Sequence, residues 1–133
     1  MTGFDTGFFF RLLDGVPRAV SVWEPVAAGD ASAALSCITL FELDRAALRG
    51  TLDRTAVDVL LVDLPVLCRV VWLGEGEGPG RLHRAARLAH GNGLAMADAL
   101  ILSALIEAGA TTVYTTDPDL ARYDGPTEVV VLD

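Results

Sequence analysis

The run over residues 93–109, GLAMADALILSALIEAG, limits this chain more than any other stretch. It reads as a helix that is apolar nearly all round, and such a helix is buried on more than one side. A layered domain must therefore enclose it. Two carboxylates fall in it, Glu107 at its end and Asp98 within the apolar surface, and the stretch contains no Lys, Arg or His to pair with Asp98. A buried carboxylate is costly unless it is protonated, paired, hydrogen-bonded or given a metal ion. Some other part of the chain must converge on Asp98.

The chain has 133 residues, 52% of them hydrophobic. That is enough for a single domain over 1–133 to close a core without disulfides or structural metal. Cys37 and Cys68 both lie in apolar runs and are too few for a disulfide framework, which predicts buried, reduced thiols of a cytosolic protein. No charged-then-apolar leader pattern appears, and no run approaches the roughly 18 to 20 apolar residues of a membrane span. The expectation is a cytoplasmic chain with no membrane contact. A net charge of −8 repels a phosphate backbone on average, so any nucleic-acid ligand needs local neutralisation. All ten Lys and Arg positions are arginine, a composition that by itself assigns no function.

In chain order, the pattern predicts a brief strand ending near Asp5 and a helix from Thr6 to about Asp14. Pro17 breaks it. Residues 18–28 have weak helical periodicity interrupted by Pro25. Residues 33–38 read as a covered parallel strand, followed by a helix in which Thr39 and Glu42 match a capping box and which Gly50 closes. Residues 54–62 predict a helix ending before Pro65, and 68–73 a strand. Residues 75–80 read as a flexible acidic, glycine-rich loop. Leu82, Ala85, Ala86, Leu88 and Ala89 recur at helical spacing, with Arg81, Arg84 and Arg87 as a solvent stripe. After the central helix come a β-branched strand at 111–115, a short helix started by Asp117 and Pro118, and a last strand at 128–132. Strands alternating with helices predict a three-layer α/β/α sandwich around a parallel sheet of four to five strands.

Carboxylates fall at one edge of that scaffold. Asp5 and Asp117 stand beyond the carboxyl ends of two strands, where open parallel sheets border their ligand crevice. Glu42 and Asp98 fall in the first turns of helices that begin at a sheet edge. Each has a structural explanation alone: Asp5 and Asp117 as helix caps, Glu42 in its capping box, Asp98 at a helix dipole. Caps can equally be Ser, Thr or Asn, whereas four acids together repel unless cations lie between them. The grouping therefore predicts a hard divalent ion, Mg²⁺ or Mn²⁺.

Four blocks carry a resemblance: Phe4-Asp5-Thr6-Gly7, SCITLFEL around Glu42, GLAMADALI around Asp98, and VYTTDPDL around Asp117. In order and spacing they resemble the PIN-domain ribonucleases of the VapC toxin type, over nearly the whole chain. The resemblance implies a metal-dependent endoribonuclease, the toxin of a toxin–antitoxin pair. It also implies a homodimer silenced by a cognate antitoxin whose tail approaches the metal site. Asp5, Glu42, Asp98 and Asp117 would be its acidic quartet, holding one or two Mg²⁺ or Mn²⁺ ions, with RNA as substrate. Thr6 would be the small polar residue beside the first aspartate, and Asp119 matches a position often acidic in the family.

Arg11, one turn beyond Thr6, could steer an RNA backbone or be a solvated helix-face arginine. His83 and His90 have no third ligand to complete a metal site and read as surface or helix-end residues. Phe8, Phe9 and Phe10 cannot all enter one core from one helix, so part of this cluster is left for a partner surface. The alternative to an enzyme is a non-catalytic module that keeps the fold and uses its acidic rim structurally. A receiver-like or phosphatase site, which usually needs a lysine, fits poorly in a chain without one.

Overall fold

A computed structural model describes residues 1–74 and 78–132. Within the acidic loop expected over 75–80, residues 75–77 therefore lie outside the described residues. Five short strands, Thr2–Phe4 (β1), Ala33–Ser36 (β2), Arg69–Val71 (β3), Thr112–Thr115 (β4) and Glu128–Val131 (β5), form one sheet. Its order is β3-β2-β1-β4-β5, and every neighbouring pair is parallel. Parallel neighbours need crossovers. Among the described residues these run through the helices Thr6–Leu13 (α1), Pro17–Ala27 (α2), Cys37–Leu48 (α3), Arg54–Leu67 (α4), Pro79–Asn92 (α5) and Met96–Glu107 (α6). A 3-10 helix, Pro118–Arg122, joins β4 to β5. This is the expected three-layer α/β/α sandwich, with five strands.

Alternation along the strands divides the core in two. Phe4 and Leu35 face the layer of α1 to α4 and pack with Phe8, Phe9, Leu43, Val57 and Leu64. Phe4 stacks on Phe8 with ring centroids 4.1 Å apart and meets Phe9 and Trp23 edge-on at 5.7 Å. Each such fully buried ring contributes on the order of 2–3 kcal/mol. Ala34 and Val113 face the other layer, where Ile101, Leu102 and Leu105 of α6 cover the sheet. Gly3 lets α6 lie this close, since a Cβ there would come within 3.1 Å of Val113 and 3.2 Å of Leu105. The central helix is buried on several sides, as its composition predicts.

Several local expectations are corrected. Strand β2 ends at Ser36, whose hydroxyl caps α3 by accepting from Ile38 N at 3.1 Å, so Thr39 lies inside the helix and makes no capping box. Pro25 and Pro65 lie within the last turns of α2 and α4 rather than ending them. Burial of Val26 and Leu64 beside them anchors these turns despite the missing N–H. The arginines of α5 are not a common solvent stripe. Arg81 is buried: it donates to Trp72 O at 2.8 Å, and its Nε lies 2.9 Å from Glu107 Oε2 as an ion pair rather than an aligned hydrogen bond. Arg84 donates to the other Glu107 oxygen at 2.5 Å, so the acid at the end of α6 gathers two cations from α5. Leu82, expected on the apolar face, is 55% exposed. Phe8 and Phe9 are fully buried and Phe10 is half-buried. Cys68 is buried and Cys37 half-buried, both free. No single described helix is long and apolar enough to cross a membrane.

Candidate functional site

From β1 the sheet grows one way to β2 and the other way to β4, which opens a crevice at the carboxyl ends of β1 and β4. Asp5 follows β1 directly and is 5% exposed. Its Oδ1 accepts from Thr6 N at 2.7 Å, capping α1, and its Oδ2 accepts from Thr115 Oγ1 at 2.6 Å. Thr115, the last residue of β4, also accepts from Asp117 N at 3.0 Å. One hydroxyl thus ties the two strand ends together. Their approach is close enough that a methyl on Gly7 would overlap Thr116 Oγ1.

Glu42 enters from α3, one turn beyond Thr39 on the same helix face. Thr6 Oγ1 donates to Glu42 Oε1 at 2.6 Å. With that proton committed, the Thr39 hydroxyl, 3.0 Å away and fully buried, is the donor to Thr6 Oγ1. The chain of hydroxyls replaces the capping box expected for Thr39 and Glu42. Thr39 and Thr115 were not singled out as site residues by sequence. The available signal was their positions, three residues before Glu42 and two before Asp117.

Asp98 lies in the first turn of α6 and is half-buried rather than enclosed. Its carboxyl is pushed up to about 6, first by burial, then by the charges of Asp5, Asp117 and Glu42, and by a hydrogen bond with Asp117. Burial also raises Asp5, against the hydrogen bonds from Thr115 and Thr6, with Glu42 and Asp117 adding to the rise. The carboxylates of Asp5, Glu42, Asp98 and Asp117 therefore share one field, although they come from four separate elements.

Other candidates stand apart. Asp119 is exposed and ion-paired with Arg122 at 3.0 Å, while its backbone N–H donates to Asp117 Oδ1 at 2.9 Å. Arg11, in the last turn of α1, is half-buried and already has an interaction partner. His83 accepts from Arg87 Nε at 2.8 Å on the exposed face of α5, and His90 is exposed.

Among the described residues, no three acidic, imidazole or thiol side chains are posed as a ready-made metal cage. The chemistry of the donor set nevertheless fits a hard cation. It is all oxygen, it is mutually repulsive, and each influence named on Asp98 disfavours its charge. An ion bound there would relieve all of these repulsions together.

The family model described as PIN domain matches residues 4–126. No curated protein matches the chain. Among solved structures, a toxin–antitoxin complex from Klebsiella pneumoniae is similar, with a TM-score of 0.72 and 20% identity over 98% of this chain and 97% of that one. VapBC2 from Rickettsia felis, bound to a DNA fragment from its promoter, has a TM-score of 0.69 and 17% identity over 99% of this chain and 98% of that one.

Proposed function

The chain belongs to the PIN-domain family, and on that premise we propose that it is a metal-dependent endoribonuclease, the toxin of a toxin–antitoxin pair. The observation that carries this reading is the convergence of Asp5, Glu42, Asp98 and Asp117 at the crevice between β1 and β4, with Asp98 hydrogen-bonded to Asp117. Those four residues would hold Mg²⁺ or Mn²⁺. When bound, such an ion polarises a phosphodiester, activates water and steadies the leaving oxygen.

The protein's own residues prepare the site. Donors on both oxygens of Asp5, from Thr6 N and Thr115 Oγ1, fix the plane of its carboxylate. Thr6 holds one oxygen of Glu42, and Thr39 keeps Thr6 in the orientation that does so. With its carboxyl pushed up to about 6, Asp98 has mostly released the hydrogen it shares with Asp117 by neutral pH and is then an anion. A localised cation would also let an acidic rim on a chain of charge −8 accept a phosphodiester.

A cognate antitoxin and a second copy of the chain are the protein partners this reading implies. The antitoxin is supported by the two similar structures, described as a toxin–antitoxin complex and as VapBC2. The test is cleavage of single-stranded RNA by purified protein with Mn²⁺, with Mg²⁺ and with chelator. Cleavage that requires the ion, and that Asp98→Asn reduces more than about 100-fold while the melting curve stays cooperative, supports the reading. Wild-type protein inert on total RNA with either ion overturns it in favour of a non-catalytic module.

A further inference from the structure

Beside the carboxylates a second pocket of about 280 Å³ opens, lined by Thr6, Phe10, Glu42, Arg45, Arg49 and Thr51 among others. It shares Thr6 and Glu42 with the acidic crevice, so the two are continuous. Glu42 and Arg45 on α3 and Arg49, the residue that caps its carboxyl end in helical geometry, recur at i, i+3 and i+7, which places them along one helix face. From Glu42 to Arg49 that face advances about 10 Å.

The two arginines differ from most others in this chain. Arg54 is tied to Asp44 and Asp58, Arg81 and Arg84 to Glu107, Arg87 to His83, and Arg122 to Asp119. Arg11 and Arg69 also have partners. Arg45 and Arg49 are exposed, and among the described residues neither has a side-chain hydrogen bond or ion pair, not even with Glu42 one turn away. Arg18 shares that condition but stands on α2, outside this pocket. The dipole at the carboxyl end of α3 favours basic residues there, but it does not account for a pocket that joins them to Thr6 and Glu42.

Resting on the nuclease reading above, we propose that this pocket is a nucleotide subsite. In it Arg45 and Arg49 hold the backbone phosphate next to the bond that is cut, and Phe10 offers its half-buried ring to the adjoining base. Three features select a nucleotide over an acidic peptide. Paired guanidinium forks match phosphate oxygens. An aromatic ring in the same pocket gives a base a stacking surface. The pocket also continues directly from the carboxylates, so a strand with one phosphodiester at Glu42 carries its next phosphate along the α3 face. Local cations on this face answer the repulsion that the net charge of −8 imposes on RNA.

The test uses the full chain carrying Asp98→Asn to prevent cutting, a fluorescein-labelled single-stranded RNA eight nucleotides long, and anisotropy titrations over a series of salt concentrations. Adding Arg45→Gln and Arg49→Gln together is expected to weaken binding at least ~10-fold. The slope of log affinity against log salt should fall by roughly 0.7 per arginine. In the cleaving protein the same pair should raise KM by a similar factor with kcat within about two-fold. Both side chains are exposed, and an unchanged melting temperature shows that the fold is kept. Unchanged affinity and salt slope overturn the proposal, as does loss of affinity for a poly-glutamate peptide with RNA binding untouched. If wild-type protein cuts RNA while the double variant matches it in KM and salt slope, the subsite fails and the nuclease reading stands. RNA binding that depends on both arginines in a protein that never cuts gives the reverse.

Discussion

The hydroxyl of Thr115 donates to Oδ2 of Asp5 at 2.6 Å, a contact between residues 110 positions apart. It joins the carboxyl ends of β1 and β4 where the strand order reverses, and through Asp117 N it also sets the start of the segment that carries Asp117. Thr115→Val keeps the shape and removes the hydroxyl. The expected result is a loss of about 1–3 kcal/mol in unfolding free energy by urea titration, because Asp5 is left with a buried oxygen short of a donor. Ion affinity should fall about 10- to 100-fold.

Thr6 and Thr39 should separate in their effects. Thr6→Val removes the donor to Glu42 and the acceptor for Thr39 together, whereas Thr39→Val leaves the bond between Thr6 and Glu42 in place. Steady-state cleavage should therefore drop by more than about ten-fold for Thr6→Val and by only a few-fold for Thr39→Val, which instead costs about 1 kcal/mol of stability. Equal losses of activity would mean that Thr6 cannot hold Glu42 in position without Thr39 behind it.

Stability without metal should depend on pH through Asp98. Its carboxyl is pushed up to about 6 in the folded chain against 3.8 for an unperturbed aspartate, so the native state binds the extra proton between those values. The stabilisation is full below about pH 4 and is lost as pH rises through about 6. Asp5 shifts in the same direction. Metal-free Asp98→Asn should then melt above wild type at pH 7.5, by roughly 3–5 °C after allowing for solvent screening at a half-exposed group. The gap should narrow by pH 5. Added Mn²⁺ should raise the wild type at pH 7.5 and move the variant much less. A variant that melts at or below wild type at pH 7.5 would show that repulsion at Asp98 is negligible.

The layered fold was legible because its signals are local and repeated: an all-round apolar helix, short β-branched runs, and Gly or Pro between them. Asp5 and Asp117 could be placed for the same reason, since Asp5 directly follows β1 and Asp117 lies two residues beyond β4. What sequence missed depends on contacts across the chain. Thr39 followed by Glu42 has the spacing of a capping box, yet Ser36 already caps the helix, which frees both side chains to reach Thr6. Arg81 shares its helical face pattern with Arg84 and Arg87, but its burial is decided by Glu107, on the next helix. Asp98 appeared enclosed because its helix is apolar on every side, whereas the first turn of that helix emerges at the crevice.

The central claim is that four acids from separate elements make one cation site, and calorimetric titration with Mn²⁺ tests it most directly. Wild-type protein should bind one or two ions per chain at pH 7.5, and Asp5→Asn, Glu42→Gln, Asp98→Asn and Asp117→Asn should each weaken the same binding event by about ten-fold or more. Wild-type protein that takes up no Mn²⁺, or four variants that bind it as tightly as wild type, would contradict the claim.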